Sequence, residues 1–153
     1  MNKELLKLAD GRNLEVVTSG RQNGSALVFH HGALGSAEDM ELFFEAARDS
    51  DVFLIAITRP GYEQSTRRPG RRAHNYVEDT CEVLDHFGVT KFVSVGWSSG
   101  GPVMISDQLD GRCVGGVAIA SDSPMVSEDW QDYLDKYPPA NPHVGEAIDF
   151  DFE

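Results

Sequence analysis

The chain has 153 residues, is 41% hydrophobic and carries a formal net charge of −12 at pH 7. That length is one domain, with enough apolar content to bury a sizeable core. No apolar run approaches the roughly 20 residues that span a bilayer, and the acidity argues against nucleic acid and anionic membranes as partners.

The first 14 residues alternate charge and apolarity, a pattern of neither a signal peptide nor a transit peptide, so a cytoplasmic location is expected. "ELLKLAD" and "NLEVVTS", joined through Asp10-Gly11-Arg12, read as a β-hairpin with Asp-Gly as its turn. "SALVFHH" is a continuous apolar run ended by "GALGS", which predicts a strand buried on both faces. Residues 37 to 48 place Met40, Phe43, Phe44 and Ala47 at helical spacing, with acids early as a helix N-terminus prefers. "DVFLIAIT" is the next buried strand, and "RPGYEQS" opens a polar loop. The basic cluster "RRPGRR", residues 67 to 72, is broken by Pro-Gly and reads as a solvated loop.

A second helix follows in "HNYVEDTCEVLDHFG", with Tyr76, Val77, Cys81, Leu84 and Phe87 along one stripe and Gly88 as its stop. Then come the strand "KFVSV", the turn "GWSSG", a helix over residues 100 to 109, and the strand "CVGGVAIAS". Strands alternating with helices make βαβ units and a mostly parallel, doubly wound sheet behind the N-terminal hairpin. Residues 1–121 form this core, and residues 122–153 change character: "SEDWQDYLDKY" reads as a lid-like amphipathic helix and the rest as an acidic tail. From Asp122 onward there are nine acids (Asp122, Glu128, Asp129, Asp132, Asp135, Glu146, Asp149, Asp151, Glu153) against Lys136. Cys81 and Cys113 lack a metal-type spacing and read as reduced, buried thiols.

Two loops carry chemistry. In "VGWSSGG" a serine stands between two glycines where a strand turns into a helix. A strained turn of this kind lifts the hydroxyl of Ser98 clear of the sheet, and the crowding backbone requires small residues two before and two after, here Gly96 and Gly100. The helix that follows favours developing negative charge at its start, and Pro102 suits its first turn. The alternative is a tight turn that merely needs small residues. "FHHGALGS" ends the neighbouring buried strand. Acyl transfer needs two backbone amides aimed at the oxyanion; Ser99 supplies one, and Ala33 is the best placed for the other. The alternative is an ordinary loop whose glycines serve the turn.

"HHGALGS", "TRPGYEQS", "PGRR" and "VGWSSGGP", in this order and spacing, resemble the α/β-hydrolase superfamily, closest to its ester-hydrolase and peptidase-like members. The resemblance runs from about residue 3 to residue 121. It implies Ser98 as nucleophile, the Ser99 and Ala33 amides as oxyanion hole, Gly32, Gly96 and Gly100 as supporting positions, and His31 as a structural brace of the oxyanion loop. No metal or organic cofactor is implied, and the expected partner is a small-molecule acyl substrate: an ester, amide or thioester. Relatives that open epoxides or cleave carbon–halogen bonds carry Asp at the elbow, so serine disfavours those reactions. Glu63 departs from the glycine usual after Pro-Gly-Tyr, and the helix after Gly101 is short of alanine.

In this superfamily the acid and histidine follow the nucleophile on the seventh and eighth strands, whereas this chain reads as reaching the sixth. Asp122 reads either as the acid or as a turn-capping loop residue. His143 is the one histidine after Ser98, and reads either as the base or as part of a loose tail, since "PPANPH" offers nothing to hold a ring. His74 and His86 read as surface residues and His30 as packing. Trp130, Tyr133 and Tyr137 either line an apolar entrance or form one packed helical face. A sheet that stops here leaves "VGGVAIA" as an apolar edge, so a homodimer or a complementing C-terminal chain is expected there. Against the hydrolase stand a truncated homologue without catalysis and a half-enzyme needing a second polypeptide.

Overall fold

The computed structural model describes residues 1–72 and 75–121, with the backbone alone at Leu42. Asp122, Trp130, Tyr133, Tyr137 and His143, with the lid-like helix and the tail, lie outside the described residues, as does His74. Six strands form one sheet: β1 (Asn2–Lys7), β2 (Asn13–Gly20), β3 (Ser25–His30), β4 (Val52–Ile57), β5 (Phe92–Trp97) and β6 (Cys113–Ile119). Helices α1 (Glu41–Arg48), α2 (Tyr76–Phe87) and α3 (Gly101–Asp107) join the parallel strands. The spatial order is β1-β2-β4-β3-β5-β6. β1 and β2 pair antiparallel, as do β2 and β4; the remaining neighbours are parallel. No helix among the described residues is long and apolar enough to cross a membrane.

Alternation along the central strands builds a core on each face of the sheet. Leu14, Val16, Val28, Ile55 and Phe92 meet Val83 and Leu84 of α2 on one face. Val17, Phe29, Leu54 and Val95 meet Met40, Phe44 and Ala47 on the other. Burying each such side chain stabilises by about 1.5–3 kcal/mol, which is what holds the helices against both faces. The doubly wound arrangement expected from the sequence is thus present.

The termini of the elements follow local chemistry. In the hairpin turn Gly11 has φ 89°, and Leu8 N–H donates to Arg12 O at 2.8 Å. The predicted first helix is two pieces: a 3₁₀ turn over Ala37–Met40, capped by Ser36 and Asp39, leads into α1. That break rotates Phe43 out of the expected buried stripe, and it is half exposed. Helix α2 ends at Gly88 in the left-handed region, with Val89 N–H returning to Leu84 O at 2.8 Å. Its deepest residues are Asp79, Thr80, Val83 and Leu84 rather than the expected stripe starting at Tyr76. Asp79 is inward because Arg12 and Arg68 both reach it, Arg12 through two guanidinium nitrogens at 2.5 and 3.1 Å and Arg68 at 3.2 Å. Half of the "solvated" cluster is therefore tied down: Arg68 pairs with Asp79 and Glu78, and Arg71 Nε donates to Tyr76 OH at 2.5 Å.

Candidate active site

Three loops meet at the carboxyl ends of the parallel strands: residues 31 to 36 after β3, 58 to 65 after β4, and 98 to 100 after β5. The chain leaves β3 toward β4 on one side and leaves β5 toward β6 on the other, so β3 and β5 flank the topological switch point, where ligands bind in open α/β sheets.

β5 ends at Trp97, and Ser98 takes φ 51°, a left-handed conformation that L-residues adopt at a cost of about 1–2 kcal/mol. A 3₁₀ turn over Ser98–Gly100 then leads into α3, with Pro102 in its first turn. A Cβ at Gly96 would run into the Gly100 carbonyl, and one at Gly100 into the carbonyls of His30 and His31. Both glycines are therefore demanded by backbone contact rather than by flexibility. The elbow packs against the β3 loop: a Cβ built on Gly32 lies 3.4 Å from Ser98 Cβ and 3.9 Å from its Oγ. Ser98 and Ser99 are partly accessible, and Ala33 and Leu34 are exposed, Leu34 at φ 61°.

Two buried side chains join these loops. His31 Nε2 accepts the Arg59 backbone N–H at 3.0 Å, so its proton sits on Nδ1, which donates to Gly32 O at 2.7 Å. Burial, and next the charge of Arg59, depress the His31 pKa to about 3, which keeps the ring neutral. With both nitrogens engaged, His31 cannot take a proton from Ser98. Arg59 completes the joint: its Nη2 donates to Gly32 O at 2.7 Å and to Ser99 Oγ at 3.2 Å, and its Nη1 to Ser99 O at 3.4 Å. Tyr62 covers both, with its ring centroid 5.1 Å from that of His31 and 5.1 Å from Arg59 Cζ.

The β4 loop is itself anchored to β2. Ser65 Oγ accepts Glu15 N–H at 2.9 Å and donates to Thr58 O at 2.7 Å. Thr58 Oγ1 donates to the buried Glu15 carboxylate at 3.0 Å while accepting Ala37 N–H at 3.0 Å. Lys3 lies 3.1 Å from the second Glu15 oxygen and supplies its counter-charge.

The other histidines are elsewhere. His30 is buried, its Nε2 donating to Asp107 Oδ2 at 2.6 Å, where Ser94 Oγ also donates at 2.6 Å. That network fixes α3 on the sheet. His86 lies on the surface near Glu4, at 3.5 Å. Among the described residues, then, no histidine is free to serve Ser98. Cys81 and Cys113 are free and only half buried. Burial, and then Asp110, push the Cys81 thiol up to about 11, so it stays protonated. Sequence alone assigns no role to Arg59; its one signal is an arginine directly following the buried run "FLIAIT".

The family profile described as alpha/beta hydrolase fold matches residues 25–145. No curated protein matches by sequence. Among solved structures, the esterase RhEst1 from Rhodococcus sp. ECU1013 is 26% identical with a TM-score of 0.68, over 79% of this chain and 46% of its own. A hydrolase from Pseudomonas aeruginosa PA01 is 20% identical with a TM-score of 0.71, over 88% of this chain and 52% of its own. Epoxide Hydrolase A from Mycobacterium thermoresistibile is 17% identical with a TM-score of 0.71, over 88% of this chain and 44% of its own. The last two likenesses are of fold alone. The chain spans about half the length of these solved relatives. With its profile match, its sheet order and its strand-to-helix elbow, the chain belongs to the alpha/beta hydrolase fold family.

Proposed function

We propose that this chain carries the nucleophile and oxyanion site of a serine hydrolase acting on a small ester, amide or thioester. The observation that carries the reading is Ser98 at φ 51° on a turn whose flanking glycines admit no side chain, with the β3 loop against its hydroxyl. Ser98 Oγ loses its proton to a base and bonds to the substrate carbonyl carbon. The Ser99 and Ala33 amides hold the resulting oxyanion, and collapse of the intermediate breaks the bond to the leaving group, which departs with the base's proton. Water then hydrolyses the acyl-serine. The likeness to an esterase at 26% identity supports an ester as the substrate class. Serine rather than aspartate argues against epoxide opening.

The base is the open part of the machine. Asp122 and His143 are the in-chain candidates for acid and base. The second reading, a half-enzyme completed by another polypeptide, is favoured by the engaged state of His30 and His31. Intact mass after exposure to a fluorophosphonate, beside Ser98→Ala and His143→Ala, separates them. Label lost in both variants supports a complete site within the chain. Label lost only in Ser98→Ala places the base elsewhere, and no label on the wild type refutes the autonomous hydrolase.

A further inference from the structure

Arg59 is 5% exposed, yet its partners are neutral. Other arginines of the fold answer their charge with carboxylates: Arg12 with Asp79 and Asp10, Arg68 with Glu78 and Asp79, Arg112 with Asp110 and Asp85. Arg59 instead binds Gly32 O, Ser99 O and Ser99 Oγ, faces the Tyr62 ring, and leaves Nε buried without a partner among the described residues. No described carboxylate lies within ion-pair distance of it. A buried, uncompensated cation is costly, and a fold that needed only a brace could use a neutral amide or answer the charge with an acid. What distinguishes this position is its place: the guanidinium touches both loops proposed to surround the oxyanion.

We infer that Arg59 is a positioning residue that sets the Gly32 and Ser99 loops and lends a charge that no described carboxylate neutralises to the oxyanion formed during acylation at Ser98. This rests on the serine-hydrolase reading above. The charge is preorganised, since the fork is held by three bonds before substrate arrives, and it acts in a water-poor setting where such charges are strongest. It neither donates nor accepts a proton in the step. The fork cannot be replaced by an ammonium without loss, because one group must reach the Gly32 carbonyl and Ser99 at once.

The test uses the full chain with Arg59→Lys, Arg59→Met and Ser98→Ala, each checked by thermal melting. Fluorophosphonate labelling at Ser98 is expected to slow about 100-fold in Arg59→Met and about 10-fold in Arg59→Lys. With p-nitrophenyl acetate, kcat is expected to fall and KM to hold. Equal rates in all folded variants, an equal fall in both Arg59 variants, or a change confined to KM would overturn the proposal. Absence of Ser98-dependent label on the wild type defeats the serine reading instead, and the His31 ring then decides the arginine. His31 is faced by His30, Tyr62 and Arg59. Followed by NMR, its pKa is expected to rise in Arg59→Met and to stay low in Arg59→Lys; an unmoved pKa in Arg59→Met overturns the proposal.

Discussion

β5 and β6 lie side by side in parallel register, and they could hardly be finished more differently. β5 is buried over most of its length and ends in an elbow held by backbone contacts, by His31 and by Arg59. β6 exposes Val114 at 62%, Val117 at 49% and Ile119 at 39%, and β5 is its one strand neighbour among the described residues. Between β6 and α1 an apolar groove of about 350 Å³ is lined by Leu27, Phe29, Phe43, Val95, Val117 and Ile119. The proposed site thus sits at the middle of the sheet, where neighbours on both sides fix the geometry. Burial of the outer strand is a separate matter that the elbow does not require.

The largest break in that comparison comes from a single methyl. Gly100→Ala puts a Cβ into the carbonyls of His30 and His31, which belong to backbone and cannot swing aside. We expect a loss of about 4 kcal/mol or more in urea unfolding, the range of severe core overpacking and strain. A variant that melts like the wild type would mean that the elbow relaxes around the added methyl.

Next in size is the acid sensitivity of the braced end. His31 is neutral in the fold, with its pKa depressed from 6.5 to about 3 by burial first and by Arg59 second. Below pH 6.5 the unfolded chain binds a proton that the fold refuses until about pH 3, so stability is full above 6.5 and falls as pH drops through that window. From pH 6.5 to 4.5 this amounts to about 2–3 kcal/mol at 1.36 kcal/mol per unit. Urea midpoints across this range should show the slope, and His31→Asn should flatten it. The same slope in both proteins would assign the effect to other groups.

β6, unpaired on its outer side among the described residues, sharpens the comparison from the other side. Exposed apolar edges pair with other chains, so sedimentation velocity should show concentration-dependent association of the wild type. Val117→Lys should abolish it and move stability by no more than about 0.5 kcal/mol, as surface changes do. A wild type that stays monomeric at high concentration would break the prediction.

What the sequence made legible follows the same divide. Strands, helix order and both chemical loops were readable because alternation, the Asp-Gly turn and the Gly-x-Ser-x-Gly spacing are local signals. The hidden parts depend on distant partners. Asp79 reads as a polar helix residue until Arg12 and Arg68 arrive from 67 and 11 positions away. Arg59 reads as one more loop cation, since its contacts with Ser99 span 40 residues. His31 could be read as a brace by resemblance, but its tautomer and depressed pKa come from burial, which no spacing encodes.

Glu63 gives the smallest effect and the finest test. It stands where relatives were expected to carry glycine, and it takes φ 42° in the left-handed region. A non-glycine residue there costs about 1 kcal/mol in the fold, while glycine would return roughly 0.4–1 kcal/mol by loosening the unfolded chain. The two nearly cancel, so Glu63→Gly should change urea-unfolding stability by less than about 0.5 kcal/mol. Its side chain is exposed, so no packing is lost. Ser98, at a similar φ, cannot be treated in the same way. There the strain aims a hydroxyl, and Ser98→Gly should match Glu63→Gly in stability while losing all fluorophosphonate label. Two left-handed residues with like energetics and opposite functional weight would show that conformation alone does not mark the site; what lies against it does.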